Sequence, residues 1–460
     1  MRVAIVGAGF GGIAMAIELR RHGLHDVVVL ERGPGLGGTW LYNDYPGAAC
    51  DVPSHLYSFS FAQRRDWPRL CPERDEIVGY LRRVAREHDV ERLVVPGVEV
   101  VRCAWDGGWR IEASDGRVFT ADALVVATGQ LHRPHVPRVF ESFEGHSFHS
   151  AEWDHDYDLR GKRVAVIGTG ASAVQFVPEI APVVDRLVVF QRTGNWFLPR
   201  KNHSYPGWYR ALIRVPGVQW FRRHFVFWYG ESLTLMIRHP RTWGRLGWAR
   251  SALFMRWQLR DRELRRKVWP DYTFGCKRVL FSSWFLPALQ RPNVDLVTEP
   301  IRSVSGTAVN GREVDCLIYA TGFRTTEFMF PMEIVGRSGL SLRDAWDGGP
   351  HAHLGMTVPG FPSMYLMYGP NTNTSGGSII FYLEAQAAYI REALQVGASE
   401  VRPDVEAASD AAVQARFNGT AWTACDSWYR DRSGRIVTNW PGYMHEYAAL
   451  TRRVDRDEFV

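Results

Sequence analysis

Four-residue apolar runs recur along the chain, and each stops abruptly at a glycine or a polar residue. Val3-Ala4-Ile5-Val6 is followed by Gly7, Val27-Val28-Val29-Leu30 by Glu31, Val164-Ala165-Val166-Ile167 by Gly168, and Leu187-Val188-Val189-Phe190 by Gln191-Arg192-Thr193. Short runs without polar alternation predict strands buried on both faces, the pattern of a parallel sheet covered by helices. A helix is predicted after Gly7, through about His22. Two later segments repeat each other: Asp122-Ala123-Leu124-Val125-Val126-Ala127-Thr128-Gly129 is echoed by Asp315-Cys316-Leu317-Ile318-Tyr319-Ala320-Thr321-Gly322. Each reads as a late strand of its own sheet, ending in a glycine turn. Between Trp196 and Trp269 the period becomes helical and the composition shifts to Arg and Trp, as in Leu253-Phe254-Met255-Arg256-Trp257-Gln258-Leu259.

The glycines add chemistry to this pattern. Gly7-Ala8-Gly9-Phe10-Gly11-Gly12 has the spacing G-x-G-x-x-G directly after a strand. Gly7 permits the tight turn, Gly9 lets the backbone approach a pyrophosphate, and Gly12 allows close helix packing, with the helix N-terminus facing the phosphates. Glu31, about 20 residues on, suits a ribose hydroxyl. A second fingerprint, Gly168-Thr169-Gly170-Ala171-Ser172-Ala173, has alanine as its third small residue. Its following strand ends in Arg192-Thr193 with no carboxylate, so a guanidinium stands ready for a 2′-phosphate and NADPH is favoured over NADH.

These signals predict an α/β fold with two Rossmann-like dinucleotide-binding domains, for FAD and NADPH, the second nested in the first and carrying a helical insert. The expected boundaries are 1–142 and 323–460 for the FAD-binding domain, 143–154 for an interdomain linker, 155–200 and 272–322 for the NADPH-binding domain, and 201–271 for the helical subdomain. Two nucleotides in one chain imply electron transfer between them, from a nicotinamide reductant to a flavin.

Bulk properties narrow the possibilities. The 460 residues are 46% hydrophobic, ordinary for a globular chain of two or three domains. The net charge of +6 comes without a basic block or nucleic-acid motif, so attraction of anionic dinucleotides explains it and no nucleic-acid partner is expected. Cysteines 50, 71, 103, 276, 316 and 425 form no C-x-x-C pair or disulfide framework, so free thiols and a reducing compartment are expected, with no metal. A strand starting at Arg2-Val3 leaves no room for a signal peptide, and no uninterrupted apolar run reaches a transmembrane length of about 18 residues. The expectation is a cytoplasmic protein. The aromatic-basic stretch Gln219 to Trp228 could meet a membrane surface or a partner; the preferred reading puts its aromatics in the core and substrate cavity and its arginines in solvent.

A disulfide reductase of this plan would need a dithiol soon after the first fingerprint, where Cys50 stands alone. Another segment lies between the two fingerprints: Phe143, Gly145, His149, Trp153 and Asp154 read F-x-G-x-x-x-H-x-x-x-W-D. It resembles the motif of type I Baeyer-Villiger monooxygenases. Gly37-Gly38-Thr39-Trp40, followed by Tyr45-Pro46-Gly47 and Asp51, resembles that family's flavin-domain motif, and Lys277-Arg278 resembles its lysine-arginine pair. Related N-oxygenating flavin monooxygenases usually lack the tryptophan of the linker motif.

The resemblance implies that NADPH reduces FAD, that O2 adds to give a peroxyflavin, and that this attacks a ketone to yield an ester or lactone. It implies that Arg278 holds the anionic oxygen and that Asp51 orients and tunes Arg278. It further implies that Lys277 joins Arg192 and Thr193 at the 2′-phosphate, that Gly38, Thr39, Trp40 and Asn371 lie along the flavin, and that Gly168, Gly170 and Ser172 hold the nicotinamide dinucleotide. Trp428, in Cys425-Asp426-Ser427-Trp428-Tyr429, resembles the tryptophan of a loop closing over NADP. Phe143, Gly145, His149 and Trp153 are expected to position the interdomain connection without touching substrate. The alternative expectation is oxidation of sulfur or nitrogen in a small molecule, with less need for Arg278; a reductase or a catalytically silent redox-binding protein is the third.

Overall fold

The runs preceding the two glycine loops occupy the centres of separate five-stranded parallel sheets. The computed structural model describes residues 1–200 and 202–460. In the first sheet, β1 (Val3–Val6), β2 (Val27–Glu31), β3 (Val94–Pro96) and β4 (Ala123–Val126) are followed much later in the chain by a fifth strand. The second sheet contains β5 (His146–His149), β6 (Arg163–Ile167), β7 (Arg186–Phe190), β8 (Val294–Val297) and β9 (Cys316–Tyr319). The chain then returns to the first sheet as β10 (Met364–Leu366). The strand orders are β10-β4-β1-β2-β3 and β8-β7-β6-β9-β5. Apolar burial on both faces explains why the central strands show no alternation: every residue of β1 and β4 is buried.

Helix α1 (Phe10–Arg21) follows the first glycine loop and α2 (Ala171–Ile180) the second. Four helices fill much of the insert: α3 (Gly207–Leu212), α4 (Val218–Arg238), α5 (Trp243–Gln258) and α6 (Arg262–Val268). α7 (Ile379–Val396) packs on α1 and closes the first domain's core with Ile380, Leu383, Ala387 and Ile390. An antiparallel meander, Val100–Trp105, Trp109–Ala113 and Val118–Ala121, sits beside the first sheet. The F-x-G-x-x-x-H segment is itself structural, because β5 pairs in parallel with β9 as the edge strand of the second sheet.

Two expectations are corrected. Cys276 and Cys425 are joined by a disulfide, so six free thiols are not present; Cys50, Cys71, Cys103 and Cys316 remain free and buried. The pair is 149 residues apart, and only the return of the C-terminal segment over the second domain brings it together, so no spacing rule reveals it. The disulfide also removes the cysteine argument for a reducing compartment. The second correction concerns the insert: Val226, Leu233, Ile237, Phe254 and Met255 enter the core and Phe225 borders the cavity, but Trp220, Phe221 and Trp228 are exposed. Among the described residues no helix is long and apolar enough to cross a membrane, and no cluster of His, Cys, Asp and Glu is arranged to hold a metal.

Candidate active site

The two glycine loops are built alike. Gly7 and Gly168 both adopt φ +107°, and a Cβ on either would lie 2.6 Å from a carbonyl oxygen, that of Ala127 and that of Ala320 respectively. Those carbonyls belong to the repeated Ala-Thr-Gly segments, so the internal repeat exists because each loop turns against the end of its neighbouring strand. The Cβ position of Gly170 is open, leaving the backbone free for close approach by a ligand. Glu31 is buried; its carboxylate accepts from the backbone N–H of Ala8 at 2.7 Å and of Gly33 at 2.8 Å, tying the end of β2 to the first loop.

Both loops open into one cavity of about 2770 Å³, at the carboxyl ends of the strands where α/β sheets bind ligands. Such a volume exceeds the roughly 300–1,000 Å³ of an ordinary small-molecule site and has room for two dinucleotides. Gly7, Gly9, Glu31, Gly38, Thr39 and Trp40 line the part belonging to the first domain. Gly168, Gly170, Ser172, Arg192 and Thr193 line the part belonging to the second.

On the shared wall, Arg278 Nη2 donates to Asp51 Oδ2 at 2.7 Å. The side chains are 47% and 21% exposed, and both face the cavity, so the guanidinium keeps donors free. Burial disfavours the Asp51 charge, but the Arg278 ion pair and hydrogen bond outweigh it, with Arg200 adding to them, and hold the carboxyl below its usual range. The Asp51 charge in turn raises Arg278 further above its already high value, against the burial that lowers it. The pair is fully charged at any working pH.

A second cationic group forms on the nicotinamide side. Lys277 Nζ donates to Thr193 Oγ1 at 3.3 Å and lies 4.9 Å from the Tyr272 ring centroid. Burial, followed by repulsion from Arg192, lowers the Lys277 pKa. Trp428 is partly exposed on the cavity wall, and its carbonyl accepts from Thr325 Oγ1 at 3.1 Å. The Cys276–Cys425 bond ties this tryptophan's loop to the residue preceding Lys277-Arg278.

Other expected residues lie elsewhere. Asn371 lies behind the cavity wall: its Nδ2 donates to the carbonyls of Ile436 at 2.7 Å and Asn439 at 2.9 Å, while its neighbours Asn373 and Tyr368 line the cavity. A buried amide with two accepting carbonyls close by satisfies them first. The linker side chains stay behind the cavity wall. The Phe143 ring covers Gly145, where a Cβ would come within 2.6 Å of it. His149 Nε2 meets the Gly322 carbonyl at 3.1 Å while Nδ1 accepts from the Ala151 N–H at 3.1 Å, and burial lowers its pKa to about 4. Trp153 packs edge-on to Phe148 and against Phe176 of α2.

Sequence reasoning missed two site residues. Arg200 is buried, donates from Nη2 to the Cys50 carbonyl at 2.9 Å, and lines the cavity beside Asp51. Gln175 on α2 bridges the domains, accepting from Tyr45 Oη at 3.0 Å and donating to the Ala49 carbonyl at 2.8 Å. The only local signal for Arg200 is an arginine ending the apolar stretch Phe197-Leu198-Pro199. Gln175 carries none, since it is an unremarked polar residue until the domains meet.

The profile of the pyridine nucleotide-disulphide oxidoreductase family matches residues 4–214. A Baeyer-Villiger monooxygenase of Streptomyces coelicolor is 43% identical, over 100% of this chain and 92% of that one. The closed crystal structure of cyclohexanone monooxygenase superposes with TM-score 0.88 at 28% identity, covering 98% of this chain and 96% of that chain. A solved complex of the protein called OTEMO with FAD and NADP gives TM-score 0.87 at 26% identity, covering 98% and 97%.

Proposed function

The chain belongs to the flavin-dependent Baeyer-Villiger monooxygenases, and from that premise we propose that it uses FAD and NADPH to insert one atom of O2 beside a ketone carbonyl, giving an ester or lactone. The residues fit both groups. The open face of Gly170 and the convergence of Arg192, Thr193 and Lys277 suit a dinucleotide bearing a 2′-phosphate. Gly7 and Gly9 with Glu31, Gly38, Thr39 and Trp40 suit the flavin dinucleotide, and Gly12 lets the following helix pack against the Gly7 carbonyl. When bound, FAD supplies the two-electron chemistry that activates dioxygen, with NADPH as reductant.

The observation carrying this reading is the Asp51–Arg278 pair facing the cavity. Oxygen attack on a carbonyl develops negative charge on oxygen, and Arg278 stabilises that charge with donors which never lose their protons. Asp51 fixes the guanidinium plane and lowers the cost of burying it. Ser172 and Gly168 orient the nicotinamide dinucleotide, and Trp428 excludes water on its side of the cavity. Phe143, Gly145, His149 and Trp153 hold the connection between domains of approximate extents 1–142 with 323–460 and 155–200 with 272–322, the insert being 201–271.

The test is a panel of linear, cyclic and aryl ketones plus a methyl aryl sulfide, with product mass and NADPH consumption followed together. Ester or lactone formation coupled to NADPH consumption is expected. Sulfoxide as the sole oxygenated product would replace this reading by heteroatom oxidation.

A further inference from the structure

The charge of this protein is unevenly placed. Residues 201–260 contain ten arginines, one lysine and a single acid, a net charge of +10, whereas the remainder of the chain carries −4. That acid, Glu231, is buried and bound to His445 Nδ1 at 2.9 Å, so it presents no negative charge on the surface. The basic segment coincides with the exposed apolar helices of the insert.

On α5, Trp243, Leu246, Leu253 and Trp257 recur at heptad spacing and all face solvent, Leu253 at 71% and Trp257 at 73% exposure. The opposite face of the same helix, with Gly247, Ala252, Phe254 and Met255, is the one buried in the protein. α5 is therefore apolar on both sides, and its outer stripe is left unpartnered. On α4, Trp220, Phe221, Phe225 and Trp228 are exposed as well. Arg250 Nη2 on α5 donates to Tyr229 Oη on α4 at 3.3 Å, joining the two outer faces into one surface. Arg241, Arg245 and Arg256 lie exposed along it.

Aromatic and leucine side chains interleaved with arginines, with no acid between them, suit an anionic lipid headgroup layer: the apolar groups enter the acyl boundary while guanidiniums meet phosphates. A second copy of the chain would bring like charges of +10 together, and a nucleic acid would leave the leucines unburied. We propose that this face is a peripheral docking surface for an anionic lipid bilayer. Phe225, Tyr229 and Arg250 also line the cavity, so the docked protein has a cavity mouth against the bilayer. Resting on the oxygenase reading above, this identifies the substrates as apolar ketones dissolved in membrane.

The experiment is sedimentation of the flavin-loaded protein with vesicles of phosphatidylcholine alone or mixed with phosphatidylglycerol, at low and high salt. Binding is expected to the mixed vesicles, on the order of tenfold weaker in phosphatidylcholine or molar salt. Leu253→Ser with Trp257→Ser should weaken binding at least about tenfold. Arg241→Ser with Arg245→Ser should weaken it by about fivefold per arginine. Both variants should keep the flavin absorbance and the wild-type rate of NADPH oxidation. The proposal is overturned if the wild type fails to sediment with anionic vesicles, if it binds both lipids equally, or if the variants bind like wild type. It is also overturned if the substitutions abolish self-association or binding to a single-stranded oligonucleotide and vesicle binding is absent. Vesicle binding without ketone oxygenation would sink the oxygenase reading and leave the docking surface standing.

Discussion

Asp51 and Arg278, 227 positions apart in sequence, meet at 2.7 Å on the cavity wall shared by the two nucleotide-binding sheets. The carboxylate comes from the loop after the short helix Thr39–Tyr42 and the guanidinium from the segment leading out of the insert. Each charge makes the other affordable in a partly enclosed site, and the free edge of the guanidinium faces the space where oxygen chemistry would occur.

Arg278→Ala should still permit NADPH to bleach the flavin but lower ester formation by at least about a hundredfold, the scale of losing one preorganised charge donor. Asp51→Asn, which keeps a polar partner but removes the charge, should fall between that variant and wild type. Normal ketone oxygenation by Arg278→Ala, measured by product mass, would remove the pair from the mechanism.

The cationic group at Arg192, Thr193 and Lys277 leads to a coenzyme prediction. NADPH should be preferred over NADH in kcat/KM, and Arg192→Ala or Lys277→Ala should reduce the NADPH value by roughly 10- to 100-fold, the scale of a charge-assisted hydrogen bond. The NADH value should change little, because that coenzyme has no 2′-phosphate. Equal wild-type values for the two coenzymes would contradict the assignment.

Acid should destabilise the fold through buried histidines. Burial lowers His149 and His55 from 6.5 to about 4, Arg222 and Arg223 adding to the effect at His55. Because the folded pKa lies below the unfolded one, the unfolded chain binds the extra proton in the interval between them. The stabilising contribution is therefore complete above 6.5 and is lost progressively as pH falls from 6.5 to about 4. Each histidine lowers the folding equilibrium constant by up to about tenfold per pH unit in that window. Urea midpoints at pH 7 and pH 5 test this, and His149→Gln should flatten the difference; a pH-independent midpoint would refute it.

The Cys276–Cys425 bond should leave four titratable thiols in the denatured, unreduced protein and six after treatment with a dithiol. Reduction, or Cys425→Ser, should free the Trp428 loop, seen as faster proteolysis near residue 428 and a severalfold higher KM for NADPH. Six thiols before reduction would show that the bond does not form in solution.

Local spacing made part of this molecule legible. The strand, glycine loop and helix at residues 3–21 and again at 163–180 follow from short apolar runs and glycine positions, as does the acidic end of β2 at Glu31. The roles of Asp51, Lys277 and Arg278 were reached through resemblance, since either charge taken alone reads equally well as a turn cap or a surface ion. Arg200 and Gln175 were invisible because their importance lies in a partner on the other domain. The direction of the Asn371 side chain is not legible locally, because a buried amide answers to whichever carbonyls enclose it, here those of Ile436 and Asn439.

The insert shows the same boundary. Its helical period and arginine-tryptophan content were plain, but α5 has large apolar side chains on both sides, so periodicity alone did not say which stripe would be buried. The sequence by itself determined the two nucleotide folds and their order, because backbone hydrogen bonding, buried strand runs and glycine turns act over a few residues. Only the tertiary structure decided that Asp51 meets Arg278, that Cys276 meets Cys425, and that Trp257 faces outward. Those outcomes depend on how two sheets and an insert pack against one another, a balance of burial and charge summed over contacts far apart in the chain.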